Sequence, residues 1–532
     1  MAWGRVLRRR SKALKPIITV SSSTIMERGT GGGSGGAGEA TAAGDVETEE
    51  ALQELGEPLS PGARLFHAPL MNCCIIAIIG SKTKIDVDSI MDGLKNSLIK
   101  HPRFCSKLVI DSKKGKKPSW VRTRVNLDNH ITIPDLDPGM DSPDQFVEDY
   151  VSDLTKIPMD ISKPLWEVHL LNVKTSDAEA IIILKMHHSL GDGISLISLL
   201  LACTRKASDP EAVPSLPVAK KTSLRKPSRF CRYMITIWLM LNMMWNTLIH
   251  SILFLATMLF LKDTDTPIKG APGTEQNPRR IVHRIVSLDD IKMVKNEMNM
   301  TINDVILGIT QAGLSRYLNK MYGGDDKAET MVIEERDYLP KNIRLRATLI
   351  VNVRPSTEIK DLADMMEKGS DCRWGNAIGY ILLPFHIALL NDPLDYLHRS
   401  KAVIDRKKLS LEAKLTHYSG KLVLKTLGPE VAAACAYKTV ANTTMSFSNV
   451  VGPAEEISFY GHQLAYIAPT VYGHPQALTI HFQSHADKMT IVVAVDESII
   501  PDPRRLCDDL VESVGLIKAA IIQRRLRSKD DR

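Results

Sequence analysis

No two cysteines in this chain stand in C-x-x-C spacing. The eight of them, at 73, 74, 105, 203, 231, 372, 435 and 507, are scattered through apolar stretches. That pattern offers no zinc ribbon and no disulfide framework. It reads as buried, reduced thiols in a cytosolic setting. Aromatic residues make up only 5%, and no basic stretch alternates with them. A single-strand nucleic-acid binder needs that alternation, so no nucleic acid is expected. The net charge of +7 over 532 residues is too small to imply such a partner, although it suits an anionic membrane surface or an anionic substrate. No apolar h-region follows the N-terminal basic residues, so secretion is not expected. No short-period repeat is visible. What the chain does have is ordinary globular composition, 44% hydrophobic and 24% charged, and enough length to bury a large core.

Residues 1–57 read as a disordered extension. The first residues carry Arg5, Arg8, Arg9, Arg10, Lys12 and Lys15 without an acid, and a Gly-rich run follows from Gly29. Such a run cannot bury enough apolar surface to offset its ordering entropy. The basic start resembles a transit peptide; a solvated basic tail is the blander reading. Order begins near Pro58-Leu-Ser-Pro61. The runs 72–80, 104–110, 166–173 and 178–186 read as strands, the last two as a hairpin, and 88–100 and 194–205 as helices. Residues 206–270 form a Pro- and Lys-rich linker with an apolar run over 233–261. Beyond it, 301–321 and 504–524 read as helices, and 349–353, 379–383, 478–483 and 489–495 as strands. Two α/β lobes are expected, 58–205 and 271–525, with a charged tail over 526–532.

The strongest chemical signal is His187-His188-Ser-Leu-Gly-Asp192-Gly193. A histidine between a strand end and a Gly-rich turn is well placed to face a cleft. Imidazole titrates near neutrality, so it can take a proton and return it in one cycle. A lone His-His pair is more often structural. Adjacent residues on a strand point to opposite faces, so the two are poor ligands for one ion and no metal is expected. Asp192 has two roles open to it. It can orient the imidazole as in a triad, or it can fix the turn through an ion pair with a distant arginine. The tight bend favours the second, and Arg354, at the end of a strand in the other lobe, is the candidate partner. Backbone N–H groups around Gly193, at a helix start, are candidates for holding an oxyanion.

The pattern HHxxxDG resembles the signature of the CoA-dependent acyltransferase superfamily. More specifically, the chain resembles the plant wax ester synthase/diacylglycerol acyltransferase family, from about Pro58 to about residue 525. The supporting stretches are Pro58-Leu-Ser-Pro61, Pro164-Leu-Trp166, Asn303-Asp304-Val-Ile-Leu307, Asn352-Val-Arg-Pro355, Gly375-Asn376 and Ser448-Asn449-Val-Val-Gly452-Pro453. The Asp-Phe-Gly-Trp-Gly motif of the soluble plant acyltransferases is missing, which argues against that branch.

This resemblance implies a two-lobed, chloramphenicol-acetyltransferase-like α/β fold with an active-site tunnel between the lobes. It makes His188 the general base, His187 a supporting residue, and Asp192 a structural residue salt-bridged to Arg354. Asn449 and Gly452 are then part of a loop lining the tunnel. The implied reaction passes a fatty acyl group from acyl-CoA to a long-chain fatty alcohol, with diacylglycerol as a second acceptor. It needs no metal or redox cofactor and no acyl-enzyme, since nothing activates Cys203 or Ser189. The rivals are another lipid or phenolic alcohol as acceptor, or a non-catalytic lipid-binding protein.

The apolar run is long enough to cross a bilayer. Its N-terminal flank is basic, with Lys220, Lys221, Arg225, Lys226, Arg229 and Arg232, so that flank is expected on the cytosolic side. A single crossing would part the two lobes. Asn242, Asn246 and His250 recur at i, i+4 and i+8 and form a polar stripe. The run is therefore expected to insert into membrane lipid from one side, with a true single span as the alternative. The expected location is the endoplasmic reticulum membrane with a cytosolic active site; the plasma membrane and plastid are alternatives.

Overall fold

The computed structural model describes residues 56–110, 118–137, 139–217, 229–323, 336–355 and 373–530. The predicted extension up to residue 55, Cys372 and the basic stretch 218–228 lie outside them.

After a short helix, Pro61–Leu65, the first half of the chain enters its main sheet with β1, Cys74–Ser81, an apolar run buried almost throughout. Helix α1, Val87–Asn96, is capped by Asp86, whose side chain accepts the Ser89 N–H, and it buries Ile90 and Leu94. The helix expected to reach Lys100 breaks at Ser97, where the hydroxyl donates to the Gly93 carbonyl, and a 3-10 turn follows. Next come the short β2, Ile131–Thr132, the helix α2, Pro143–Lys156, and the predicted hairpin of β3, Trp166–Leu171, and β4, Ala180–His187. Helix α3, Gly193–Cys203, leads into β5, Thr204–Lys206. Helix α4, Arg229–Leu259, takes up the apolar run.

In the second half, β6, Arg280–Ser287, precedes α5, Ile302–Gly323, which is buried on nearly every side. The strands β7, Leu345–Asn352, and β8, Ile378–Phe385, pair antiparallel. Three helices follow: α6, Pro393–Lys408, α7, Glu412–Thr426, and α8, Gly428–Ala441. The chain closes with β9, Met445–Val450, β10, Ile457–Phe459, β11, His462–Tyr472, β12, Leu478–His485, β13, Lys488–Val495, and α9, Pro503–Asp530. Helix α9 runs on into what the sequence suggests is a separate charged tail.

Among the described residues the main strands form two sheets. One has the order β2-β3-β4-β1-β11-β10-β5, the other β8-β7-β9-β12-β13-β6. The expected division of the lobes at residue 271 therefore fails. Residues 457–472 belong to the first sheet, where β11 pairs antiparallel with β1 from Leu464 opposite Ser81 to Tyr472 opposite Cys74. The reason is physical. An apolar strand such as β1 has an exposed row of backbone groups on its free edge until another strand covers it. The crossing strand satisfies that edge and then returns through β12, tying the lobes together. Each sheet carries its own core, around Ile79, Leu94 and Trp166 in one lobe and Leu314, Phe482 and Leu510 in the other.

Candidate active site

Strand β4 ends at His187, and a 3-10 turn, His188–Leu190, carries the chain to α3. The two histidines part there. His187 is 2.9 Å from the side-chain oxygen of Asn72 through Nε2 and 2.7 Å from the Ser189 hydroxyl through Nδ1. An amide oxygen only accepts, so Nε2 carries the proton and Nδ1 accepts from Ser189. The ring stacks on His67 at 4.2 Å. Burial holds its pKa well below the usual value, so it is a neutral, fully bonded prop.

His188 faces the other way and lines a large cavity between the lobes. Its ring stacks on Phe66 at 4.2 Å. Its backbone is pinned at both ends: the N–H donates to the Cys73 carbonyl at 3.0 Å, and the carbonyl accepts from Asn376 Nδ2 at 3.0 Å. Nδ1 is buried without a hydrogen-bond partner among the described residues. Burial lowers the His188 pKa, and the nearby Asp192 charge offsets this only in part. The ring is neutral at pH 7 and has a lone pair to offer.

Asp192 makes no hydrogen bond to either histidine among the described residues. One carboxylate oxygen accepts from the Ser195 N–H at 3.1 Å and Arg354 Nη2 at 3.2 Å. The other accepts from Arg354 Nη1 at 2.7 Å and the Ala377 N–H at 2.9 Å. Those four partners use the acceptor capacity of a carboxylate, which leaves none for an imidazole. Asp192 thus caps α3 and clamps the lobes through a bidentate pair. Arg354 spends its remaining donors on Asn352 Oδ1 and the carbonyls of Arg373 and Gly375. Trp374 adds a bond from its indole N–H to the Leu190 carbonyl.

Gly193 opens α3 and lines the cavity. Its N–H belongs to the first turn and makes no hydrogen bond among the described residues. Asn449 also lines the cavity, and its amide donates to Asn303 Oδ1 at 2.8 Å. Gly452 does not reach the cavity, which corrects the expected lining loop: Val450 and Val451 take that place. A Cβ at 452 would lie 2.0 Å from the Ser484 carbonyl oxygen, so only glycine lets the chain cross the end of β12 there.

Two cavity residues, and one that holds the His188 backbone, escape a reading of the sequence. Asn376 stands in a supporting motif, but its bond to the His188 carbonyl comes from tertiary packing. His474 and His481, before and on β12, arrive through the crossover. Burial pushes their pKa values down to about 3 and about 4. Cys73 lines the cavity too, but burial pushes its thiol far up and Sγ donates to the Gly473 carbonyl, so it offers no thiolate.

The cavity holds about 1980 Å³ and its lining is mostly apolar. A pocket for one drug-sized ligand is roughly 300–1,000 Å³. The space therefore suits two substrates at once, meeting at one imidazole.

Known proteins resemble this chain in sequence and fold. The wax ester synthase/diacylglycerol acyltransferase catalytic domain matches residues 63–306, and the C-terminal domain of the same group matches 374–518. Wax ester synthase/diacylglycerol acyltransferase 11 of Arabidopsis thaliana is 53% identical over 477 residues, which is 88% of this chain and 96% of the relative. The chain belongs to the wax ester synthase/diacylglycerol acyltransferase family. A second Arabidopsis thaliana member, numbered 6, is 52% identical over 91% of this chain and 97% of its own. Among solved structures, the wax ester synthase/diacylglycerol acyltransferase from Marinobacter aquaeolei VT8 is similar with a TM-score of 0.54 at 18% identity, over 87% of this chain and 99% of that one. The first condensation domain of the CDA synthetase is similar with a TM-score of 0.50 at 11% identity, over 91% and 96%. These two likenesses speak to the fold. The family membership makes the chain an acyltransferase.

Proposed function

We propose that this acyltransferase moves a fatty acyl group from acyl-CoA to a long-chain alcohol, giving a wax ester, and to diacylglycerol, giving triacylglycerol. The observation that carries the reading is a neutral, buried His188 in an apolar cavity large enough for both chains. The alcohol O–H gives its proton to the ring as its oxygen attacks the thioester carbonyl. The C–S bond then breaks, and the imidazolium returns the proton to the departing thiolate. No group on the enzyme is acylated. The Gly193 N–H, at the positive end of α3, suits the oxyanion formed on the way. Asp192 and Arg354 hold the turn that aims the ring. The work takes place at a membrane, on the cytosolic face of the endoplasmic reticulum; α4, the one described helix long and apolar enough to cross a bilayer, supports contact with lipid.

The test uses microsomes from a host without neutral-lipid synthesis. They receive labelled palmitoyl-CoA with hexadecanol or diacylglycerol, and the wild type is compared with His188→Ala. Loss of the base should cost about 10²–10⁴-fold in kcat. Equal rates in both would remove His188 from its role. Product from neither, with folded protein, would point to a different acceptor or to a lipid-binding protein.

A further inference from the structure

Helix α4 is built inside out. Trp238 and Trp245 are each 61% exposed and Phe260 beyond its end 71%, whereas Asn246 is 9% exposed and Thr257 fully buried. His250 of the polar stripe, with Thr247 and Thr257, faces the second lobe. Thr247 Oγ1 accepts the Leu411 N–H at 2.9 Å, His250 lies 3.7 Å from Glu412, and the Thr257 carbonyl accepts from Asn442 at 2.7 Å. A helix held at 247, 250 and 257 lies along the lobe. It cannot stand across a bilayer without breaking those contacts. Its outer face continues onto α7, where Leu411, Leu415, Tyr418 and Leu422 are exposed at helical spacing. Large exposed apolar faces of this kind mark a partner or a membrane.

The tunnel reaches the same place from inside. Lys407, Ser410, Glu412 and Ala413, at the α6–α7 connection, line the cavity that also holds His188. Glu412 Oε1 accepts the Leu382 N–H at 3.0 Å, and Oε2 takes Lys407 Nζ at 2.7 Å. From Asn376, at the His188 carbonyl, to Leu382 the chain runs six residues along β8, or about 20 Å of strand. The cavity wall at Glu412 thus lies 3.7 Å from His250, and Leu411 beside it is bonded to Thr247, so the wall there backs onto α4 on the inner side of the exposed apolar face.

We propose that the tunnel opens sideways between α4 and the α6–α7 connection into one leaflet of a membrane, and that the lipid alcohol enters there past Lys407, Glu412 and His250. The claim rests on a lipid alcohol being the acceptor. The face formed by α4 and α7 is sunk into the leaflet. The occupant is lipid rather than protein for two reasons. The chain segment just before α4 carries Lys220, Lys221, Arg225 and Lys226, which suits anionic headgroups. The cavity under the face is apolar and chain-length deep, so the face and the tunnel call for the same ligand. The buried Lys407–Glu412 pair forms a polar collar for a hydroxyl in an otherwise greasy passage.

The full-length enzyme tests this with hexadecanol in phosphatidylcholine–phosphatidylserine vesicles against dissolved butanol, each with palmitoyl-CoA. Trp238→Glu/Trp245→Glu should lower vesicle binding and hexadecanol turnover at least tenfold and leave butanol turnover unchanged. Thr247→Cys/Leu411→Cys, oxidised, should lose hexadecanol turnover at least tenfold, keep butanol turnover, and recover with reductant; oxidised wild type is the control. If that disulfide does not form, a bismaleimide crosslink between the same two cysteines gives the closed form and should show the same split. Unchanged hexadecanol turnover in the closed forms overturns the portal. Vesicle binding unchanged in the tryptophan variant, or a dimer that the variant dissolves, overturns the lipid face. Wild type that acylates neither alcohol defeats the acyl-transfer reading instead, and the vesicle-binding comparison still decides the face.

Discussion

The pair between Asp192 and Arg354 joins the two lobes beside the base, and both side chains are nearly dry, at 5% and 2% exposure. Removing one partner leaves the other as an uncompensated buried charge, which costs about 3–5 kcal/mol. The two removals are not equal. Without Arg354, Asp192 keeps the N–H groups of Ser195 and Ala377. Without Asp192, Arg354 keeps neutral acceptors only, and α3 loses its cap, worth about 1 kcal/mol more. Asp192→Ala should therefore destabilise more than Arg354→Ala. The double variant should fall short of the sum by about 2–3 kcal/mol, the coupling of contacting charges. Denaturant unfolding of detergent-solubilised protein gives the energies, and turnover of palmitoyl-CoA gives kcat. Asp192→Asn should lower stability and kcat together. Its acid limb should move slightly to lower pH, since the Asp192 charge raises the His188 pKa. A fall in kcat of about 10⁴ with stability untouched is the signature of a carboxylate that orients the imidazole, and it would refute this assignment.

Three further outcomes are expected. Burial lowers the His188 pKa, so kcat/KM should stay flat down to about pH 6.5, the ordinary histidine value, and fall only below it; a limb above that pH would contradict a desolvated base. His101 and His474 are pushed down to about 3 and His481 to about 4 by burial. Their folded values lie below the unfolded one, so the stability they confer is present above about pH 6.5. It is lost as pH falls from there, at about 1.4 kcal/mol per pH unit for each; a Tm flat from pH 6.5 to 4.5 would count against it. Asn376→Ala removes the donor to the His188 carbonyl and should cost about 10- to 100-fold in kcat through misplacement, with KM nearly unchanged. A change in KM alone would move Asn376 from positioning the base to binding substrate.

The parts of the site that the sequence shows are those written into one short stretch. A strand that ends in His187-His188, a Gly-Asp-Gly bend and an apolar helix are all local, so the side that His188 faces follows from strand alternation. Arg354 is legible for a different reason: it sits at a strand end in the other lobe, where a turn carboxylate needs a partner. Asn376 and His481 are not legible, because each acquires its place only when β8 and β12 pack beside β4's turn. The crossing strand β11 is missed for the same cause. His462–Tyr472 alternates too weakly, with Pro469 and Thr470 inside it, to announce itself as a central strand. The helices α6, α7 and α8 are also missed, since their mixed faces carry polar residues that the lobe buries and apolar residues that it does not.

That inversion links the fold to its substrate. In a soluble protein the apolar stripe of a helix turns inward and the polar stripe meets water. Here Thr257 turns inward, bonded by Arg346 and Asn442 at the lobe's own buried Arg346–Asp263 ion pair, while Asn246 donates to Asn242 and Thr247 accepts the Leu411 N–H. Those groups would be costly to bury without partners, so the polar company fixes which face of α4 is turned out. On the proposed reading the outward Trp and Leu residues meet lipid where the tunnel opens. A product with two long chains is poorly soluble in water, and an enzyme releasing it into bulk solvent would lose it to aggregation. A tunnel that drains into a leaflet avoids that fate, and the same arrangement places the alcohol supply next to the base.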